Sequence, residues 1–394
     1  MPFMHSFEFA TARRVLFGSG ESARLGEMAN LFAMRRCLVV TGSSPDRVSS
    51  IVEPLKASGI ALFSHSFQGE PTVEVVRQGV AQARERGCDG VIAIGGGSVL
   101  DAGKAIASLL RNEGDVLDYL EVIGKGRQLE EPSAPWIALP TTAGTGAEVT
   151  KNAVLFSPKD RVKVSLRSPW MLPAVAIVDP DLTKGLPRKQ TIWSAMDALT
   201  QLIEPYVSCR ANVIVDGFCL QGMPLVAGAL EKMTKGDPDA AMRADMAMGS
   251  LLSGMSLANA GLGVVHGFAG PLGGMFDAPH GAICAALLPH GMEANIAFLR
   301  RAETAKAGSV VASLERFATV ARRLTGRPAA SPEDGVAYVK TLARDLEVQP
   351  LSSFGMTAAE AEEVVAKAQK ASSMKANTVV LSAEELTQVY RNAL

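Results

Sequence analysis

Gly90-Val91-Ile92-Ala93-Ile94-Gly95-Gly96-Gly97-Ser98-Val99-Leu100-Asp101-Ala102-Gly103-Lys104 is the stretch that decides the fold. Its apolar run reads as a buried strand that stops in a glycine turn, and a helix follows through about Leu110. The same grammar repeats on both sides. Cys37-Leu38-Val39-Val40-Thr41 ends in Gly42-Ser43-Ser44-Pro45, Ile60-Ala61-Leu62-Phe63 is the next apolar run, and Thr72 to Gly87 is an amphipathic helix closed by glycine. Trp136-Ile137-Ala138-Leu139 enters the turn Pro140 to Gly146, and Val175-Ala176-Ile177-Val178 closes the series at Asp179-Pro180. Such alternation predicts a largely parallel sheet that binds ligands at the carboxyl ends of its strands.

Beyond about Pro187 the pattern changes. Ala/Leu/Met/Val-rich segments at helical period cover roughly 188–207, 211–232, 238–270 and 281–299, with several more to the end. The expected organisation is a Rossmann-like α/β domain over 1–183 and an all-helical domain over 184–394. Arg111 to Pro132 reads as a polar, mobile connection.

Composition narrows the function. A length of 394 residues suits two domains, and 47% hydrophobic with 20% charged residues suits a globular chain. The net charge of −1 offers no basic field for nucleic acid or acidic membranes. No apolar run approaches about 18–20 residues, so no membrane span is expected. The start, Met1 to Glu8, lacks the pattern of a signal peptide. Five scattered cysteines without a CxxC pair read as reduced thiols, and a cytoplasmic location is expected. Cys284 follows His280 by four residues and reads first as a small packing residue.

Chemistry concentrates in a few places. Gly95, Gly96 and Gly97 let a pyrophosphate approach the backbone, and the following helix N-terminus supplies N–H donors, with Ser98 as N-cap and phosphate ligand. Thr141, Thr142 and Thr145 form a second polar turn, which reads equally as a helix start with Glu148 closing a capping box to Thr145. Lys163 alternates with apolar neighbours as on a strand facing solvent or a cleft. Three of the five histidines, His266, His280 and His290, fall close together. Asp197 and Gln201, at i and i+4, share a helix face, so one carboxylate, one amide oxygen and the imidazoles of His266 and His280 could converge on a divalent metal.

Taken together, the run from Gly95 to Lys104, Pro140 to Thr150, Asp179 to Leu182, Asp197 to Thr200 and Ala278 to Gly281 resembles the iron-containing (group III) alcohol dehydrogenases, essentially end to end. The resemblance implies an active site in a cleft between the two domains. It implies pyrophosphate on the Gly95–Ser98 turn with Asp101, Thr141, Thr142, Thr145 and Leu182 about the nucleotide, and Lys163 reaching the ribose. Members hold Fe²⁺ or Zn²⁺ through one Asp and three His; Asp197, His266 and His280 match three, and Gln201 stands where the fourth belongs. A further active-site His is Gly270 here. The Asp that many members place after the first strand is Gly42, followed by Ser43 and Ser44, which predicts NADP(H) in preference to NAD(H).

The expected activity is hydride transfer between NADP(H) or NAD(H) and a small alcohol/aldehyde pair, the carbonyl oxygen polarised by a metal or by His266 and His280. A homodimer is expected. Two alternatives stay open: a dehydroquinate-synthase-like lyase or cyclase, and a degenerate member that binds nucleotide without turnover.

Overall fold

The computed structural model describes residues 6–160, 162–303 and 308–394. Most of the opening stretch in which no signal pattern was found therefore lies outside the described residues. The chain divides into two units, Ala10–Leu186 and, with the residues up to Phe9, Pro187–Leu394. The division thus falls at 186/187 rather than 183/184, and residues 6–9 group with the helical unit.

The strands are β1 (Val15–Phe17), β2 (Arg36–Thr41), β3 (Ala61–Ser66), β4 (Gly90–Gly95), β5 (Trp136–Pro140), β6 (Asn152–Ser157), β7 (Val162–Arg167) and β8 (Val175–Val178). Six of them form one sheet in the order β1-β8-β5-β4-β2-β3, every pairing parallel. β6 and β7 form a separate antiparallel hairpin. β1 escapes sequence reading because three residues show no period.

Period-two alternation sorts the strand side chains onto two faces. Leu38, Val40, Val91, Ala93, Trp136 and Ala138 enter one core with the Val73–Glu85 and Gly97–Leu110 helices. Cys37, Val39, Ile92, Ile94, Ile137 and Ile177 enter the other. A sheet buried on both faces is what strands of unbroken apolar residues require. The chain leaves β2 for β3 on one side and for β4 on the other, so the strand order reverses between β2 and β4. That is where open α/β sheets bind ligands.

The supposedly mobile stretch 111–132 is ordered. It carries a short helix, Val116–Tyr119, with an Asp115 capping box, and buries Tyr119, Leu120 and Leu129.

In the second unit the helices Arg188–Val207, Val213–Met233, Ala240–Ala260, Val264–Met275 and His280–Ala302 match the helical period. The predicted single helix over 238–270 is two, bent by 98°. Gly261 at φ 72° and Gly263 break it, a conformation that apolar periodicity does not reveal. Among the described residues two helices, Val213–Met233 and His280–Ala302, are long and apolar enough to cross a membrane, contrary to the expectation of no such run. In the second, 72% of the apolar window is buried within the chain, so its composition serves the helical core.

Candidate active site: a nucleotide edge and a metal cradle

The glycine turn sits at the switch point. β4 ends at Gly95, Gly96 is the N-cap, and the helix starts at Gly97. Ser98 is therefore inside the first turn and is not the N-cap; the tight turn brings the helix start one residue earlier. The turn is pressed against the next loop. A Cβ on Gly97 would lie 2.8 Å from Thr145 Oγ1, and one on Gly96 3.3 Å from Thr142 Cγ2. Thr145 Oγ1 accepts from Ala147 N at 3.3 Å. The short 3₁₀ turn that follows has Gly146 as N-cap, with no side-chain cap. The expected Thr145–Glu148 capping box is thus absent, because Gly146 in the left-handed conformation starts the turn and Glu148 is buried. Burial pushes the Glu148 carboxyl up to about 7.

Gly42 follows the end of β2, next to β4 in the sheet. Among the described residues, the only side-chain atom that its Cβ would approach is Val99 Cγ2, at 4.0 Å, so the position has room. Ser43 and Ser44 beside it are exposed.

Three residues assigned to the nucleotide have other partners. Asp101 accepts from Val154 N at 3.0 Å and from Lys104 Nζ at 3.5 Å. It thereby ties the helix to β6. Lys104 in turn donates to Thr150 Oγ1 at 2.8 Å and Asn152 O at 2.6 Å. Lys163 pairs with Glu70 at 2.9 Å. Leu182 leans on one face of the sheet core.

The second cluster lies within the helical unit. Asp197 and Gln201 are buried on the Arg188–Val207 helix. His266 stands in the first turn of Val264–Met275 and His280 begins the next helix. Local chemistry explains both placements. A Cβ on Gly263 would meet Asn377 Oδ1 at 2.8 Å and Glu204 Oε1 at 2.9 Å. Those two oxygens accept from Val264 N at 3.1 Å and Val265 N at 2.7 Å, capping the helix from outside its own chain segment. A Cβ on Gly281 would lie 2.5 Å from Trp193 O, so only glycine lets the His280 helix approach Asp197 this closely.

One ligand atom each from Asp197, His266, His280 and Cys284 fall within 4.8 Å of one another. His266 Nε2 is 3.2 Å from Asp197 Oδ1, and His280 Nε2 is 3.7 Å from the same oxygen. Cys284 Sγ lies 3.7 Å from His266 Nε2 and 3.6 Å from His280 Nε2. His280, with 35% of its side chain exposed, is the open side of an otherwise buried group.

Gln201 stands beside this convergence. Its Oε1 accepts from Ser253 Oγ at 3.1 Å, and its side chain also hydrogen-bonds Asp197. Glu204, which sequence reading missed, closes the back of the site. Its Oε2 is 2.7 Å from His266 Nδ1. Asp197, Gln201 and Glu204 are spaced i, i+4, i+7 on one helix, a signal that was available.

Whether these residues suit a divalent metal follows from the donors themselves. With Nδ1–H donated to Glu204, His266 Nε2 presents a lone pair to the Asp197 carboxylate, two acceptors face to face. Burial opposes the Asp197 charge, yet His280, His266 and Gln201 hold its carboxyl below the usual range. Burial pulls His266 down, but Cys284, Asp197 and Glu204 outweigh it and raise it well above its ordinary value. The cluster demands a cation at its centre, a proton or a metal ion, and its residues fit a metal.

The comparisons agree with this architecture. Residues 12–180 match the iron-containing alcohol dehydrogenase family, and residues 191–394 its C-terminal domain. The 1,3-propanediol dehydrogenase of Klebsiella pneumoniae is 32% identical over 98% of each chain. The lactaldehyde reductase of Escherichia coli K12 is 36% identical over 72% of this chain and 74% of its own. The crystal structure of a 1,3-propanediol oxidoreductase superposes with a TM-score of 0.90 at 30% identity, covering 99% of this chain and all of the other. The chain belongs to the iron-containing alcohol dehydrogenase family, and its activity is that of an alcohol/aldehyde oxidoreductase.

Proposed function

We propose that the protein reduces small aldehydes to alcohols, and runs the reverse reaction, with NADP(H) as the preferred hydride carrier. The observation that carries the cofactor reading is the pair of glycine turns at the carboxyl ends of β2 and β4. Gly95–Gly97 supports close approach of a pyrophosphate to the N-terminus of the Gly97–Leu110 helix. Gly42, without a carboxylate and with Ser43 and Ser44 beside it, supports a 2′-phosphate on the ribose. Relatives named for propanediol and lactaldehyde support a short, polar substrate.

Asp197, His266 and His280 would hold a divalent metal, Fe²⁺ or Zn²⁺, and it would polarise the substrate oxygen as a Lewis acid. Around it the chain's own groups orient and exclude. Glu204 fixes the His266 ring and tautomer through Nδ1. Burial of Asp197, His266 and Cys284 keeps water from three sides. The exposed edge of His280 is where the substrate oxygen would enter; with no metal held, a protonated His280 would instead give that oxygen its proton in reduction. The family assignment favours this reading over a lyase or a silent nucleotide binder.

Steady-state reduction of propionaldehyde and lactaldehyde with each cofactor, before and after chelation, tests it. A higher kcat/KM with NADPH and loss of rate on chelation are expected. Rates unaffected by complete metal removal would hand the polarising role to the histidines. No turnover with either nucleotide would overturn the proposal.

A further inference from the structure

The family pattern supplies four protein ligands, and here position 201 carries a glutamine, whose Oε1 accepts from Ser253 Oγ at 3.1 Å and is a poorer donor to such an ion than imidazole. We propose that Cys284, as a thiolate, is the fourth protein ligand of the metal centre in place of the side chain at 201. The inference rests on the metal reading above and deepens it.

Geometry carries it. Around a four-coordinate ion with metal–nitrogen and metal–oxygen bonds of about 2.0–2.1 Å and a metal–sulfur bond of about 2.3 Å, neighbouring donors sit roughly 3.3–3.6 Å apart. The four donor–donor separations recorded in the cluster are 3.2, 3.7, 3.7 and 3.6 Å. The remaining pairs lie within 4.8 Å. The sulfur lies at nearly equal distances, 3.7 and 3.6 Å, from the two imidazole nitrogens, which a cysteine serving only as apolar filling would not need to do. Its position follows from sequence as well: Cys284 is one turn beyond His280 on the same helix face, and it is fully buried. The other cysteines are absent from the cluster.

On binding, the Sγ–H bond breaks, its proton leaves to water, and the sulfur lone pair forms the metal–sulfur bond. One carboxylate and one thiolate then balance a 2+ charge, with both imidazoles neutral. One Asp and three His would leave a net positive centre. A soft donor and a neutral site suit Zn²⁺ better than Fe²⁺, so the resident ion of this chain is zinc.

X-ray absorption at the zinc edge of the unaltered, Zn²⁺-loaded protein tests the ligand directly. One sulfur scatterer at about 2.3 Å is expected among nitrogen and oxygen neighbours. The Co²⁺-loaded protein should show a near-ultraviolet sulfur-to-cobalt charge-transfer band, lost in Cys284→Ser and kept in Gln201→Ala. Stoichiometric zinc with only nitrogen and oxygen neighbours, or a band that survives in Cys284→Ser, overturns the proposal while leaving a metal enzyme. A protein that retains no added divalent ion overturns this proposal and the metal reading together; aldehyde turnover by that protein would still leave the hydride-transfer reading standing.

Discussion

Glu204 Oε2 lies 2.7 Å from His266 Nδ1, while the other oxygen of the same carboxylate accepts from Val265 N. One side chain thus orients a ligand and caps the helix that carries it. Glu204→Gln keeps the shape and removes the charge that holds the imidazole. Zinc affinity by competition with a chromophoric chelator should fall about 10–100-fold, the usual effect of losing such a partner. Unchanged affinity would show that the ring is oriented by packing alone.

The nucleotide edge makes a different demand. At Gly97 any Cβ meets Thr145, within 2.9 Å of both Oγ1 and Cγ2. A carboxylate there would also face the incoming pyrophosphate. Gly97→Asp should lose on the order of 2–5 kcal/mol of NADPH binding, read from nucleotide fluorescence. The fold should survive, since an acidic residue in a first helical turn is otherwise favourable. Retained affinity would remove the pyrophosphate from this turn.

Much of this was legible before any coordinates. Unbroken apolar runs ending in a glycine or proline turn marked β2, β4 and β5, because strands buried on both faces leave no other signature. The glycine turns at their ends marked the nucleotide edge. Side-chain reach was not legible. Asp101 in the glycine motif bonds across to β6, and Gln201 at ligand spacing accepts from Ser253 on another helix while also bonding Asp197. Cys284 was visible at i+4 from His280, but an apolar helix makes packing the default reading of a cysteine. The bend at Gly261 was hidden because apolar period continues through it.

Glu148 allows a pH prediction. Its carboxyl, raised by burial from 4.5 to about 7 in the folded chain, returns to its ordinary value on unfolding. Between those values the folded state holds the extra proton, so stability falls as pH rises from about 4.5 to 7. The loss is complete above 7 and is on the order of 3 kcal/mol. Glu148→Gln should flatten that part of the profile and raise the urea midpoint at pH 8. Parallel profiles for the two proteins between pH 4.5 and 8 would place the Glu148 charge elsewhere than in a buried site.

The proposed preference for NADP(H) rests on Gly42. The residue follows β2 directly, beside β4 and its pyrophosphate turn, where an acidic side chain would accept from the adenosine ribose hydroxyls. Its nearest side-chain atom in reach of a Cβ is Val99 Cγ2 at 4.0 Å, so a Cβ is accommodated without rearrangement. Gly42→Asp therefore tests chemistry and not packing. The new carboxylate would set a negative charge against a 2′-phosphate, a juxtaposition that costs several kcal/mol when poorly solvated. The loop is exposed, so a smaller effect is expected, about tenfold or 1.4 kcal/mol in kcat/KM for NADPH. NADH should gain as the ribose diol finds an acceptor, and the preference should reverse. Arg47, in the short Pro45–Val48 turn just beyond, offers the second handle. Arg47→Ala should weaken NADPH and leave NADH unchanged if its guanidinium meets the phosphate. An unaltered protein that already favours NADH, or a Gly42→Asp variant with the same ratio of kcat/KM values as its parent, would remove the 2′-phosphate from this loop.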